Sequence, residues 1–406
     1  MNPNLSRLQA YPFERLRQLF SGITPNPAYR PISLGIGEPK HPTPQLIKDA
    51  YISAIQSADG GLASYPATAG DTGLRQSIAA WLQRRYGLAL SAADQILPVN
   101  GSREALFAIA QTVLDPSKQA IQSDRPIVVC PNPFYQIYEG AALLAGGLPH
   151  FVASDPARNF APDWASVPPE VWARTQLLFV CSPGNPTGAV MPLAEWKTLF
   201  ELSDQHGFVV VSDECYSEIY FRDEPPLGAL QAAAQLGRTD FRNLLVLSSL
   251  SKRSNVPGMR SGFCAGDAAL VKQFLLYRTY HGSAMSPVVQ SASIAAWDDE
   301  AHVVENRRQY REKFERVTPL LAEVLDVQLP DAGFYLWAGV SGSDAEFARE
   351  LFALYNVTVL PGSYLARDGQ HGNPGSSRIR MALVAETQEC EEAAARIVQF
   401  VKNRKT

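Results

Sequence analysis

Cysteine is scarce in this chain: five in 406 residues, at Cys130, Cys181, Cys215, Cys264 and Cys390, odd in number and without a C-x-x-C pair. That excludes a disulfide framework and a zinc ribbon. Four of the five stand in or beside apolar strand-like runs, where a thiol acts as a small buried hydrophobe, and a reducing cytoplasm is the expected setting. The six histidines fall at no metal-ligand spacing, so no metal is expected. No apolar run approaches the ~20 residues that a bilayer span needs. The opening MNPNLSRLQAYPFERLRQLF lacks the apolar centre of a secretory signal. Charge of one sign is missing as well: net charge is −4 with no basic tract, which argues against nucleic acid and anionic membranes as partners. Internal repeats and low-complexity linkers are absent. Neither G-x-x-x-x-G-K-[ST] nor G-x-G-x-x-G follows a strand-like run; NGSREA (100–105) is neither, so the nucleotide-binding fingerprints are lacking.

What is present is an ordinary globular composition, 46% hydrophobic and 19% charged, long enough for two domains. A short amphipathic helix and a Pro-rich passage lead into SLGIGEPKHPTP (33–44), an extended crossing segment. Helices are expected over 45–56 and 72–86. Strands and helices then alternate: strands at 96–100, 126–130, 148–153, 177–183, 208–214 and 244–249, helices at 102–114, 134–145 and 193–206. Apolar strands alternating with helices predict an α/β fold with a mostly parallel sheet covered on both faces. After about Pro287 the pattern changes to a long polar helix (287–325), strands at 333–340, 357–362 and 377–384, and helices at 343–355 and 387–404. The expected organisation is an N-terminal segment (1–40) packing with a small α+β domain (288–406), and a large domain over 41–287.

The chemistry gathers just after strand ends, where ligands bind in such sheets. SSLSKRSNVPGMRSG (248–262) sets Lys252 at the end of a buried strand, with Ser249 and Ser251 before it and Arg260 eight residues after. A buried amine is costly unless it has a task; forming a Schiff base with an aldehyde removes the charge, and the hydroxyls and guanidinium suit a phosphate. Pyridoxal phosphate is a phosphorylated aldehyde, although Ser-x-Ser-Lys also occurs in ordinary solvated loops. Gly101 and Ser102 stand at a helix start that offers free N–H groups to an anion, or that is simply capped. CSPGNPTG (181–188) fixes Asn185 between Gly184 and Pro186, as a hydrogen-bond donor or as part of a turn. In SDECYSE (212–218), Asp213 at a dry strand end wants a cationic partner such as a protonated pyridine nitrogen, with Tyr216 within reach of the ring oxygen; helix capping is the plainer alternative. Tyr135 suits stacking on a ring or core packing. Arg380, inward on SRIRMALV (377–384), suits a bidentate carboxylate, whereas Arg378 reads as an ion pair with a neighbouring acid.

In order and spacing, GEP, NPTG, Asp-x-x-Tyr, Ser-x-Ser-Lys and the following arginine resemble the class I aminotransferases, pyridoxal-5'-phosphate enzymes of fold type I, over nearly the whole chain. The resemblance implies that Lys252 binds the cofactor covalently and serves as the proton-transfer base. It implies that Asp213 pairs with the pyridine nitrogen, that Asn185 and Tyr216 hold the ring oxygen, and that Tyr135 stacks. The backbone of Ser102 and Arg103, with Ser249 and Arg260, would form the phosphate cup, joined by Tyr65 from the neighbouring subunit of a homodimer with shared active sites. Arg380 and the Gly37 backbone would take the substrate α-carboxylate. Amino acids and keto acids are the implied small-molecule partners. GEPKH, with Lys40 and His41, departs from the commoner GEPDF. Together with PFYQIYEGAALLAG, SLSKRSNVPGMRSGF and YRTYHGSAMSP, it resembles the succinyldiaminopimelate transaminases of bacterial lysine synthesis. Their substrate carries more than one carboxylate, for which Lys40, Arg17 or Arg278 is the expected second cation. The rival readings are an aspartate, aromatic or alanine-type aminotransferase, a lyase on the same scaffold, and a non-catalytic cofactor-binding sensor. The sensor would need an added N-terminal module, and only about 35 residues precede GEP.

Overall fold

The structure, a computed structural model, describes residues 1–57, 61–118, 124–370 and 372–404. The last two residues of the expected small domain lie outside them.

The strands, in chain order, are β1 (Ile32–Ser33), β2 (Ile96–Val99), β3 (Ile127–Asn132), β4 (Leu148–Asp155), β5 (Ala161–Pro162), β6 (Thr175–Cys181), β7 (Val209–Asp213), β8 (Leu244–Ser249), β9 (Gly262–Gly266), β10 (Tyr335–Gly339), β11 (Val357–Thr358), β12 (Leu360–Pro361) and β13 (Arg378–Ala382). Eight of them form one sheet in the order β2-β9-β8-β7-β6-β3-β4-β5. β4, β3, β6, β7 and β8 pair in parallel, while β9 runs antiparallel between β8 and β2. Every residue of β7 and β8 is buried. Their Val- and Leu-rich sequences, VVVSD and LLVLSS, fit strands covered on both faces. Trp81, Trp196, Phe263 and Trp297 belong to the buried cluster on one side, and Phe134, Tyr138, Phe179 and Phe274 to that on the other.

The helix Thr72–Tyr86 shows how local signals set an element's ends: the Asp71 side chain caps the N–H of Gly73, and Gly87, at φ 71°, ends it. The left-handed terminal position favours glycine.

A second core surrounds the antiparallel sheet β10-β13-β12. Ile32 and Leu34 join that core, and β1 pairs in parallel with β11. The single helix expected over 287–325 is instead two, Pro287–Asp298 and Ala301–Ala322. Asp299 is extended between them, and its carboxylate accepts the N–H of His302 at 3.0 Å. The first of the pair packs with the large sheet through Ala292, Ala296 and Trp297. The change of packing therefore falls at Asp299–Glu300 rather than at Pro287. The apolar run at 357–362 is also divided: β11 pairs with β1, whereas β12 pairs with β13. No membrane-spanning helix and no metal-binding group occurs among the described residues.

Candidate active site

The carboxyl ends of β2, β3, β6, β7 and β8 open on one cavity of about 450 Å³. Gly37, Ser102, Arg103, Tyr135, Asn185, Asp213, Tyr216, Ser249, Lys252, Arg260 and Arg380 all line it. Of the residues expected to hold the cofactor and the α-carboxylate, Tyr65 is elsewhere, fully exposed on the loop before the helix Thr72–Tyr86.

Lys252 sits on the one-turn helix Leu250–Arg253 that follows β8. Its Nζ donates to the Gly37 carbonyl at 2.7 Å and lies 5.3 Å from the Phe334 ring centre. Burial is the main influence on this amine and lowers its pKa to about 8. Asp213, at the end of β7, is 4% exposed. Its Oδ2 accepts from the Tyr138 hydroxyl at 3.0 Å and its Oδ1 from the Cys215 N–H at 3.4 Å. Burial raises the Asp213 pKa, against the pull of those hydrogen bonds and of Lys252. A buried carboxylate with neutral partners is completed by a cation.

Beside it, Gly101 takes φ 85° and ψ 151° at the head of the helix Ser102–Val113, which has no side-chain cap. A Cβ on Gly101 would overlap the Arg260 guanidinium. Arg260 donates to the carbonyls of Pro257 (2.8 Å) and Asn100 (3.4 Å) and has no ion-pair partner among the described residues. Uncapped N–H groups, a guanidinium and the nearby Ser249 and Ser102 hydroxyls form an anion cradle. Between the cradle and Asp213 lies Cys215, whose thiol donates to Ser102 Oγ at 2.9 Å and accepts from Ser249 Oγ at 3.6 Å. Amine, buried carboxylate and cradle together fit pyridoxal phosphate: an aldehyde, a basic ring nitrogen and a phosphate.

On the other side, Arg380 is 3% exposed yet bonds only neutral groups. It donates to Asn185 Oδ1 (3.0 Å) and the Gly35 carbonyl (2.9 Å), lies over the Tyr335 ring at 4.3 Å, and its Nε has no partner. Tyr216 and Tyr335 share a hydrogen bond between their hydroxyls at 3.1 Å. A guanidinium held by neutral partners beside an open cavity has the geometry to receive a carboxylate. Tyr135 presents its ring to the same space, and burial raises its pKa.

Lys40, Arg17 and Arg278 do not line the cavity. Arg278 is fully buried in an ion pair with Glu104. Arg17 pairs with Glu14 at 2.5 Å on an exposed face. Lys40 is exposed and acts electrostatically on Lys313 and Cys390. The Arg103 side chain lines the cavity, lies over the Tyr11 ring at 5.5 Å and has no ion-pair partner among the described residues. Arg378 pairs with Asp326 at 3.7 Å, as an ordinary ion pair. Tyr11, Tyr138, Cys215 and Tyr335 were not singled out by the sequence. Tyr335 follows Gly333-Phe334 at a strand start, the one local cue among them.

The pattern described as "Aminotransferase class I and II" matches residues 29–397. An aminotransferase from Neisseria meningitidis of known structure is 56% identical, with a TM-score of 0.94, over 99% of this chain and 100% of that one. The aminotransferase AspB from Helicobacter pylori is 34% identical, with a TM-score of 0.87, over 98% and 99%. A protein named LL-diaminopimelate aminotransferase from Desulforudis audaxviator is 31% identical over 97% of this chain and 96% of its own length.

Proposed function

Because this chain belongs to the class I and II aminotransferases, we propose that it exchanges an amino group between N-succinyl-LL-2,6-diaminopimelate and 2-oxoglutarate, giving N-succinyl-2-amino-6-oxopimelate and glutamate, in lysine and diaminopimelate biosynthesis. The enzyme depends on pyridoxal 5'-phosphate and has the α/β architecture of fold type I. When bound, the cofactor supplies an electron sink for the substrate's Cα carbanion.

The chain's own residues do the rest. Lys252 binds the cofactor, and its freed amine takes the proton from the substrate Cα. An amine brought to about 8 by burial is close to the value a general base needs near neutral pH. Asp213 holds a proton at the ring nitrogen. Asn185 and Tyr216 would bind the ring oxygen, Tyr135 would cover the ring, and the Ser102 and Arg103 backbone with Ser249 and Arg260 would take the phosphate, together with the partner subunit's Tyr65. Arg380 and the Gly37 backbone orient the α-carboxylate, which sets the Cα–H bond against the Lys252 amine. The setting is the cytoplasm.

One observation carries the substrate. Among the described residues, the one carboxylate lining the cavity is Asp213, which is buried, whereas the exposed Arg103 guanidinium lines the same space. Succinylation turns the distal ammonium into a neutral amide and adds a carboxylate, which suits Arg103. Free LL-diaminopimelate, suggested by the relative's name, brings a distal ammonium for which the described residues lining the cavity offer no second carboxylate. Single-turnover spectra with succinylated LL-diaminopimelate, free LL-diaminopimelate, aspartate and aromatic amino acids decide between them. The succinylated compound should react with the highest kcat/KM. Arg103→Met should raise its KM a few-fold, on the scale of the ~1 kcal/mol of a part-exposed ion pair, with alanine unaffected. Faster reaction with the free compound would overturn the succinyl reading.

A further inference from the structure

The GEPKH variant places a histidine that the reaction above leaves without a task. His41 is 6% exposed, and its ring lies 4.6 Å from that of Tyr310. Its Nδ1 lies 2.7 Å from Asn306 Oδ1, and its Nε2 lies 2.6 Å from Nζ of Lys313, which is 1% exposed. Asn306, Tyr310 and Lys313 fall on one face of the helix Ala301–Ala322, spaced four and three residues apart as helical neighbours are. No ion pair to Lys313 is present among the described residues, so a buried ammonium is met by an imidazole.

The neighbours of Asn306 fix the direction of every bond. Its Oδ1 also accepts from Asn255 Nδ2 at 3.0 Å, and its Nδ2 donates to the carbonyls of Lys252 (3.3 Å) and Arg253 (3.4 Å). Oδ1 therefore faces the histidine, and Nδ1 must carry the ring proton. Nε2 is then the acceptor for Lys313. The donors run one way, from Lys313 through His41 and Asn306 to the backbone of the reacting lysine. They end on carbonyls of the one-turn helix Leu250–Arg253, where helix ends leave such groups unpaired. His41 also follows the segment whose Gly37 carbonyl receives Lys252 Nζ and whose Gly35 carbonyl receives Arg380.

We propose that His41, as the neutral Nδ1–H tautomer, is a positioning residue: with Lys313 and Asn306 it locks the helix that carries Lys252 to the Gly35–Gly37 segment, and its protonation releases that lock. A second ring proton would set a donor against the Lys313 donors and a positive charge against theirs. The other groups facing the pair are Glu305, Glu386 and, toward Lys313, Lys40, Glu312 and Cys390. Burial and Lys313 outweigh the acids, and the His41 pKa is lowered. The lock therefore holds at neutral pH and opens as the medium turns acidic.

The inference rests on Lys252 being the reacting amine, and its test separates the two. Nitrogen-15 spectra of His-labelled, cofactor-free wild-type protein should show His41 as the Nδ1–H form; the Nε2–H form overturns the proposal whatever Lys252 does. In the loaded enzyme, kcat should fall more steeply below the His41 pKa than the Lys252 base alone requires; that extra fall should vanish in His41→Gln and begin at higher pH in Lys313→Met, with KM little changed. Asn306→Asp should lower kcat by up to about 100-fold, the scale of a ~1 Å misplacement of a reacting group, and speed amide exchange over 250–255 in the cofactor-free protein. An extra fall that stays in place in both Lys313→Met and His41→Gln contradicts the proposal. Loss of turnover in Lys252→Ala tests the underlying assignment alone.

Discussion

Lys252 is a lysine whose surroundings work against its charge. Burial lowers its pKa to about 8, with Arg380 and Arg260 acting in the same direction and Glu38 against them. In the cofactor-free protein the fold favours the neutral amine. The unfolded chain then binds more protons between about 8 and the ordinary lysine value near 10.4, so this residue's contribution to stability rises with pH across that window. The same bias governs reactivity, because only the neutral amine attacks an aldehyde. The rate at which pyridoxal phosphate reconstitutes the apoprotein should rise with pH and level off above about 8. At two pH units below that point it should be roughly 100-fold slower, as followed by the growth of the visible band. A flat profile over that range would show an amine already free of its proton. Lys252, Asp213 and Asn185 could be read from the sequence because each stands just past an apolar strand. Tyr138, which meets Asp213 across 75 residues of chain, and Tyr11 could not, because nothing local marks a contact made only by the folded sheet.

At the scale of elements, the turn from β2 into the helix Ser102–Val113 is shaped by Gly101. Its φ of 85° with ψ of 151° lies in a region that only glycine occupies without strain, and other residues there cost about 1–3 kcal/mol. An added Cβ would also displace the Arg260 guanidinium. Gly101→Ala should therefore lower the melting temperature of the apoprotein and weaken cofactor binding by about ten-fold or more, equivalent to ~1.4 kcal/mol. Thermal denaturation and cofactor titration of the variant check both, and a change in neither would mean the cradle has slack. The buried strands were legible because Val and Leu runs covered on both faces leave a continuous apolar signature. β9, with the sequence GFCAG, was not: its small residues carry little β signal, and its place between β8 and β2 is set by pairing rather than by propensity. The break at Asp299 escaped notice because helical periodicity resumes directly after it, while the cause is a single carboxylate capping His302.

For the whole molecule, the exposed apolar side chains have a pattern. Leu62 and Tyr65 stand before the helix Thr72–Tyr86, and Leu276 and Tyr280 on the helix Ala268–His281, all more than half exposed. The proposed homodimer with shared sites would cover such side chains and bring Tyr65 to the neighbouring phosphate. Sedimentation equilibrium should give twice the chain mass of 44.4 kDa. Tyr65→Phe should remain dimeric and hold the cofactor less tightly. A monomer with full activity would rule out shared sites. The pairing of β1 with β11 joins Ile32 to Val357, and this bond between the two ends of the chain bears on how the protein is made. A nascent chain leaving the ribosome can assemble the parallel sheet early, but the Gly35–Gly37 segment has no strand to rest on, and Arg380 does not yet exist, until synthesis is nearly complete. Lys252 is thus made long before Arg380, and a product terminated before β11 would lack both that guanidinium and the strand against which β1 pairs.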